Sequence, residues 1–320
     1  MRERNVFSPI SKKEKLIIYR KGDFNLERTA QNTVIGFIGT GVMGKSMAGH
    51  LMSKGYKLHV YSRTKEKAHE LVAQGAEWHN TPSSLAPLCN VIITMVGYPH
   101  DVEEVCLGEQ GVIPHANPGT IIIDMTTSSP TLAKGIEEEA QKRGIFSLDA
   151  PVSGGDIGAR EARLSIMVGG SKEAFDQVAP VLEAMGTQIV HQGPAGAGQF
   201  TKMCNQIAIA CNMMGVCEAL SYAQKAGLDP STVLKSIQTG AAGSFSLSHL
   251  APRMLNGDFA PGFYVKHFIK DMQIALDSAK EMNLELPGLS LARSLYEQLA
   301  QMGEEDSGTQ ALFKVYQQQL

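Results

Sequence analysis

The chain has 320 residues, 43% hydrophobic and 19% charged, with a net charge of −3, a balance that gives no support to binding nucleic acid or an acidic membrane. Its five cysteines are odd in number and form no C-x-x-C pair, and its nine histidines show no pair at metal-ligand spacing next to cysteine; a disulfide framework and a metal site are both set aside, and a reducing, cytoplasmic setting is expected. No run of about 20 apolar residues exists, so no transmembrane helix is expected.

Residues 1–32 form a basic extension that also carries acids. They lack the apolar run and small-residue cleavage site of a secretory signal, and are read as lying outside the main fold, with "LIIYR" as a possible short strand against it. From Val34 the period changes. "VIGFIG" suits a buried parallel strand, "GVMGKSMAGHLMSKGY" reads as a helix stopped at Gly55, and "KLHVYS" is a second strand. "NVIITMV", "GTIIIDMT", "GIFSLDAP", "LSIMVGG" and "TQIVHQG" continue as strands with helical patterns between them, among them "SKEAFDQVAPVLEAM". Alternation of this kind predicts a doubly wound α/β sheet over 33–195. Beyond Gly198 strand signals fade. "DPSTVLKSIQTG" opens on a capping Asp229 with Pro230 at the first helical position, and "KDMQIALDSAKEMN", "LSLARSLYEQLAQMG" and "GTQALFKVYQQQ" are helical. Residues 196–320 are therefore predicted to be an all-α domain.

Gly39, Thr40, Gly41, Val42, Met43 and Gly44 spell G-x-G-x-x-G directly after a strand and at the opening of a helix, the context in which that pattern binds a dinucleotide. The first glycine permits the tight turn, the second lets a pyrophosphate approach the backbone, and the third lets helix and strand pack closely. The free N–H groups of the helix start then face the phosphates. The fold class is accordingly a Rossmann-type doubly wound sheet followed by an all-α C-terminal domain. The second strand ends on Ser62, Arg63 and Thr64, with no acid for the ribose hydroxyls and an arginine suited to a 2′-phosphate. NADP(H) is therefore expected ahead of NAD(H).

From about Val34 to the C-terminus, five motifs in order resemble the β-hydroxyacid dehydrogenases, whose members include 3-hydroxyisobutyrate dehydrogenase and tartronate semialdehyde reductase. "GFIGTGVMG" is similar to their cofactor signature. "DMTTSSP" resembles the segment that places Thr127 near the nicotinamide, and "DAPVSGG" the substrate motif in which Ser153, Gly154 and Gly155 bind a carboxylate. "GAGQFTKMCNQ" resembles the catalytic helix, and "KDMQIALDSA" the segment whose Lys270 reaches back toward the cofactor. The resemblance also assigns Met95 and Val96 to the cofactor, in "MVGYP" where relatives carry "MVP" or "LP". Two further departures are Ala162, where many members have glycine, and Gln206, where many have asparagine. A homodimer or homotetramer is implied by the same likeness.

Lys202 stands alone in charge before fifteen uncharged residues, Met203 to Cys217, expected to be the buried length of a helix joining the domains. On a helix, Lys202, Asn205 and Gln206 share a face, so the two amides are expected to position the ammonium and the substrate without cancelling its charge. A partly buried lysine has a lowered pKa, which suits proton transfer near neutral pH. The chemistry expected is hydride transfer to or from a small β-hydroxyacid or its semialdehyde or oxo-acid, with Lys202 as general acid and base. Two rivals are a catalytically silent cofactor-binding module of the same fold and an imine reductase-like enzyme; the lysine argues against both. "YAQK" at Tyr222 is one residue short of the Y-x-x-x-K that a short-chain dehydrogenase requires.

Overall fold

A computed structural model describes residues 26–318. The "LIIYR" expectation lies outside the described residues. The last part of the expected extension is attached to the sheet domain: the Arg28 N–H donates to Gln177 O at 2.7 Å, and Arg28 O accepts from the Tyr56 hydroxyl at 3.0 Å.

The chain begins its regular structure with β1 (Val34–Ile38), α1 (Val42–Ser53) and β2 (Lys57–Tyr61). The β1 segment is short and apolar, its last four residues fully buried, as a strand covered on both faces must be. After α2 (His69–Ala73), β3 (Glu77–Trp78) and α3 (Pro82–Leu85), the strands β4 (Val91–Thr94), β5 (Ile121–Asp124) and β6 (Phe146–Asp149) alternate with α4 (Pro99–Leu107) and α5 (Pro130–Gln141). β7 (Val152–Ser153), α6 (Gly155–Arg160), β8 (Leu164–Gly170), α7 (Lys172–Glu183) and β9 (Gly186–Gly193) complete the sheet. Strand order is β3-β2-β1-β4-β5-β6-β8-β7, with β9 paired to β8. The first six strands run parallel, and β6–β8 and β7–β8 are antiparallel. All seven strands expected from the sequence are present; β3 and β7, two residues each, are additional.

After Gly193 the elements are helices, α8 (Ala197–Lys225), α9 (Pro230–Ile237), α10 (Ala251–Leu255), α11 (Val265–Glu281), α12 (Pro287–Leu299) and α13 (Phe313–Gln317), joined by loops that hold one isolated bridge, Tyr264 to Gly308. Asp229 caps α9, its carboxylate accepting from the N–H groups of Ser231 and Thr232. "GTQALFKVYQQQ" is less regular than expected, a 3-10 turn followed by the five residues of α13. The uncharged run of α8 is not buried throughout. Cys204, Ala208 and Gly215 are exposed and fall on one side of the helix, while Met203, Ala210, Met213, Met214, Val216 and Cys217 are buried. Lack of charge marked a helix packed on several sides, not one enclosed on all of them. No helix among the described residues is long and apolar enough to cross a membrane.

Two separate apolar clusters fill the β-sheet part, one built around Phe37, Met47 and Val168 and the other around Ile92, Val102 and Ile122. A third, with Phe268, Tyr296 and Phe313, fills the helical part. In an open parallel sheet the carboxyl ends of the strands face the ligand crevice. The start of α8 and one face of α11 meet the sheet at that edge.

Candidate active site

The glycine loop follows β1 as the sequence predicts. Gly39 has φ +98°, and a Cβ there would sit 2.2 Å from Met95 O; a Cβ at Gly44 would lie 1.9 Å from Gly39 O. These two are glycine so that loop, helix and neighbouring strand can close together. Gly41 differs, because a Cβ there would meet no atom within 4 Å. Thr40 is buried, and its Oγ1 has no partner among the described residues. Open space over Gly41 and an orphaned hydroxyl beside it fit a dinucleotide phosphate at this loop. Val42 is exposed and Met43 packs against the sheet core. Met95 and Val96 follow β4, and the Val96 N–H donates to Thr126 Oγ1 at 3.0 Å.

At the end of β2, Ser62 is buried and Thr64 precedes a 3-10 turn. Arg63 Nη1 lies 2.8 Å from Asp101 Oδ1 and Nη2 3.5 Å from Oδ2. Asp101 is buried and also accepts from the Tyr98 N–H at the start of α4. An acid is therefore absent from the strand end but present beside it in space. A guanidinium has five N–H donors, and this exposed side chain spends only two on Asp101.

The loop after β5 is gripped from two sides. Gln199, fully buried in the first turn of α8, accepts from the Ser128 N–H at 2.9 Å and donates to Thr126 O at 2.8 Å. Lys270 of α11 donates to Thr127 O at 2.9 Å and to Gly97 O at 3.3 Å, so it ties the helical part to the loops after β4 and β5. Below this loop Asp124 accepts from Thr94 Oγ1 at 2.7 Å; burial pushes its carboxyl up to about 6.

Asp149, at the end of β6, fixes the start of α8. Its two oxygens accept from Gly196 N–H at 2.7 Å and Gln199 N–H at 2.8 Å, groups a helix start leaves without intrahelical partners. Burial raises this carboxyl to about 6 against those hydrogen bonds. The "GAG" of the motif has a packing cause: a Cβ at Gly198 would lie 2.3 Å from Met167 O. The helix start thus rests directly on the sheet.

Lys202 is the sixth residue of α8 and 7% exposed. Burial drives its ammonium down to about 8, the nearby Asp271 carboxylate opposes that and Lys270 adds to it. The amides are arranged otherwise than expected. Asn205 Nδ2 donates to Gln206 Oε1 at 2.7 Å, and Gln206 Nε2 donates to Asp271 Oδ2 at 2.6 Å. They hold a carboxylate rather than the ammonium. Asp271 Oδ1 lies 3.1 Å from Lys270 Nζ yet outside hydrogen-bonding geometry, and is left without a donor among the described residues. Thus Thr127, Lys270, Asp271, Gln206, Asn205 and Lys202 are joined into one site by hydrogen bonds, an ion pair and the fields of neighbouring charges.

Ser153 ends β7, and Gly154 and Gly155 both have positive φ, +127° and +62°. Gly155 faces the helical part, since a Cβ there would lie 3.3 Å from Gly262 O, whereas a Cβ on Gly154 would meet Leu164 and Gly158 of the sheet part. No hydrogen bond links them to Lys202 among the described residues. Ala162 follows α6 at φ +51°, a left-handed conformation that costs an alanine about 1–2 kcal/mol and that glycine adopts freely.

Sequence reasoning missed Asp101, Asp149, Gln199 and Asp271. Asp149 and Gln199 lay inside quoted motifs, as polar residues in otherwise apolar stretches. Asp271 looked like any helical charge, and Asp101 like a helix-start acid.

Comparison with known proteins gives the family. The family model for the NAD binding domain of 6-phosphogluconate dehydrogenase matches residues 34–193. The one described as NAD-binding of NADP-dependent 3-hydroxyisobutyrate dehydrogenase matches residues 196–316. An uncharacterized oxidoreductase of Bacillus subtilis (strain 168) is 62% identical over 88% of this chain and 98% of its own. The 2-hydroxy-3-oxopropionate reductase of Escherichia coli (strain K12) is 40% identical over 84% of this chain and 92% of its own. Among solved structures, the 3-hydroxyisobutyrate dehydrogenase of Mycobacterium tuberculosis gives a TM-score of 0.82 at 30% identity, covering 88% of this chain and 98% of that one. With a glycine loop shaped for a dinucleotide, a buried lysine at the crevice and matches along both parts of the chain, the protein belongs to the β-hydroxyacid dehydrogenase family of nicotinamide-dependent oxidoreductases.

Proposed function

We propose that this chain interconverts a small β-hydroxyacid and its semialdehyde or oxo-acid, with Lys202 as the general acid and base. The observation that carries the reading is a buried ammonium with its pKa lowered to about 8, at the sheet edge where the cofactor loop also lies. The bound nicotinamide supplies or receives the hydride. Lys202 handles the proton. In reduction the ammonium gives it to the oxygen of the carbonyl, leaving an alcohol and a neutral amine that regains a proton from solvent. In oxidation the neutral amine takes the hydroxyl proton. Asp271 holds the lysine's charge in balance, and the chain Asn205–Gln206–Asp271 fixes that carboxylate. Ser153, Gly154 and Gly155 offer a hydroxyl and unhindered N–H groups to the substrate carboxylate. The similar dehydrogenase of Mycobacterium tuberculosis is described with L-serine, a small carboxylate with a hydroxyl on its β-carbon. Lys202→Ala should lower kcat by about 10² to 10⁴ and leave cofactor affinity nearly unchanged. Turnover close to wild type in steady-state assays would overturn the role.

NADP(H) is the favoured cofactor within this proposal. Arg63 supports it with exposed donors left over after its pairing with Asp101, beside Ser62 and Thr64. The ratio of kcat/KM for NADPH to that for NADH should exceed one, and a preference for NADH would remove this part of the proposal.

A further inference from the structure

The sheet edge farthest from β9 brings together three side chains that the hydride chemistry does not use. Glu77 and His79 are two residues apart along an extended segment, so they project from the same face. The β2–β3 register sets His59 directly opposite Glu77. His59 Nδ1 and His79 Nε2 are 2.8 Å apart, and His59 Nδ1 is 3.6 Å from Glu77 Oε2. One ligand atom from each lies within 4.8 Å of the other two. We infer that His59, Glu77 and His79 form a binding site for a divalent metal ion of the zinc class.

The dimensions suit such an ion. Four ligands at about 2.0–2.1 Å from zinc stand roughly 3.3 Å from one another in a tetrahedron. The facing nitrogens need to open by about 0.5 Å, and the Glu77 carboxylate needs to close by about 0.3 Å toward His59 and by up to about 1.5 Å toward His79, which rotation of its exposed side chain supplies. The protonation pattern suits it too. The Ser84 hydroxyl gives its single proton to Thr81 O at 2.8 Å, so toward His79 Nδ1, 3.3 Å away, it can only accept. His79 therefore carries its proton on Nδ1 and aims the lone pair of Nε2 into the cluster. An outer partner that fixes the tautomer in this way is what a metal-bound imidazole ordinarily has. In the metal-free protein the His59 ring faces that lone pair at 2.8 Å, and the ion takes its place between the two rings. His59 and Glu77 border an open groove of about 910 Å³, shared with Lys57, Gln74 and Gly75, which gives the ion a route in. Glu77, largely exposed, leaves the fourth position to water. The sequence concealed this because the two histidines are separated by α2 and become neighbours only through strand pairing.

Full-length protein stripped with a chelator, then titrated with zinc chloride against a chromophoric competitor, should bind a single equivalent and gain thermal stability. Cobalt(II) in its place should give the visible absorption of a tetrahedral site. His59→Ala and His79→Ala should each lower zinc affinity roughly 10-fold or more, whereas Cys204→Ser, which removes an exposed thiol, should not change it. Glu77→Gln alters an exposed side chain, so it leaves the fold intact while weakening zinc binding and shifting the cobalt spectrum. Absence of saturable zinc binding, or equal binding by wild type and Glu77→Gln, would overturn the site. Basal dehydrogenase turnover of the metal-free variants serves as the check that they are folded.

Discussion

Lys202 illustrates how one side chain gains reactivity from its surroundings. An exposed ammonium is protonated throughout the neutral range, whereas this one is driven to about 8 by burial, with Asp271 resisting and Lys270 assisting. The native state therefore releases this proton more readily than the unfolded chain does. The stability cost of burying the charge is full below about 8 and fades as pH rises toward the unfolded value of 10.5. The same acidity predicts opposite profiles for the two directions of catalysis. Log kcat/KM for oxidation should climb to a plateau above about 8, and that for reduction should fall over the same interval. Profiles without an inflection, measured with the cofactor saturating, would separate Lys202 from proton transfer. The lysine was legible in the sequence because it is the last charge before a long neutral run. Its carboxylate neighbour was not, since Gln206 and Asp271 are 65 residues apart and meet only through the packing of α8 on α11. The arginine expected at a 2′-phosphate follows β2, and its pairing with Asp101 could not be read because it depends on the first turn of α4 reaching the end of β2 across β1.

Among the elements, α8 depends most on what precedes it. Its first turn has two N–H groups with a buried carboxylate as partner, and that carboxylate belongs to β6 rather than to the helix. Negative charge at a helix N-terminus is favourable by the helix dipole as well. Asp149→Ala should leave both N–H groups unpaired at about 1–3 kcal/mol each and lower the urea midpoint accordingly, with kcat falling because Lys202 lies less than two turns on. Unaltered stability would mean that water or a shifted helix start replaces the carboxylate. Sequence period was sufficient for α8, α9, α11 and α12 and for strands of four residues or more, but it left α10 unread. It failed for β3 and β7, because two extended residues leave no alternation to read. It also failed for the side of α8 that carries Cys204, Ala208 and Gly215, since small neutral residues look the same whether covered or exposed.

Across the whole molecule, the sheet and the helical part are held in register at the crevice by few polar contacts. Lys270 is a charged one among these, with two carbonyl acceptors on different loops and the Tyr98 ring 5.9 Å from its Nζ. Lys270→Met keeps the length of the side chain and removes the charge. Hydrogen bonds to a charged group are worth about 1.5–3 kcal/mol, so thermal unfolding should begin at a lower temperature and KM for the cofactor should rise. If neither quantity changes, the contact is incidental. The order of the parts was legible from glycine punctuation and strand–helix alternation, but their docking was not, because Gln199, Lys270 and Asp271 each look like routine helix residues until α8 and α11 are set against the sheet. Finally, α8 is 29 residues long, about 44 Å, with its start clamped on the sheet, its middle from Met213 to Leu220 in the helical core and its far end, with Tyr222 exposed, at the surface. It is a lever whose fulcrum lies beside the chemistry. A turn of about 5° would carry its far end about 4 Å but Lys202 only about 0.7 Å. Lys202 therefore stands where the helix is least displaced by any such turn.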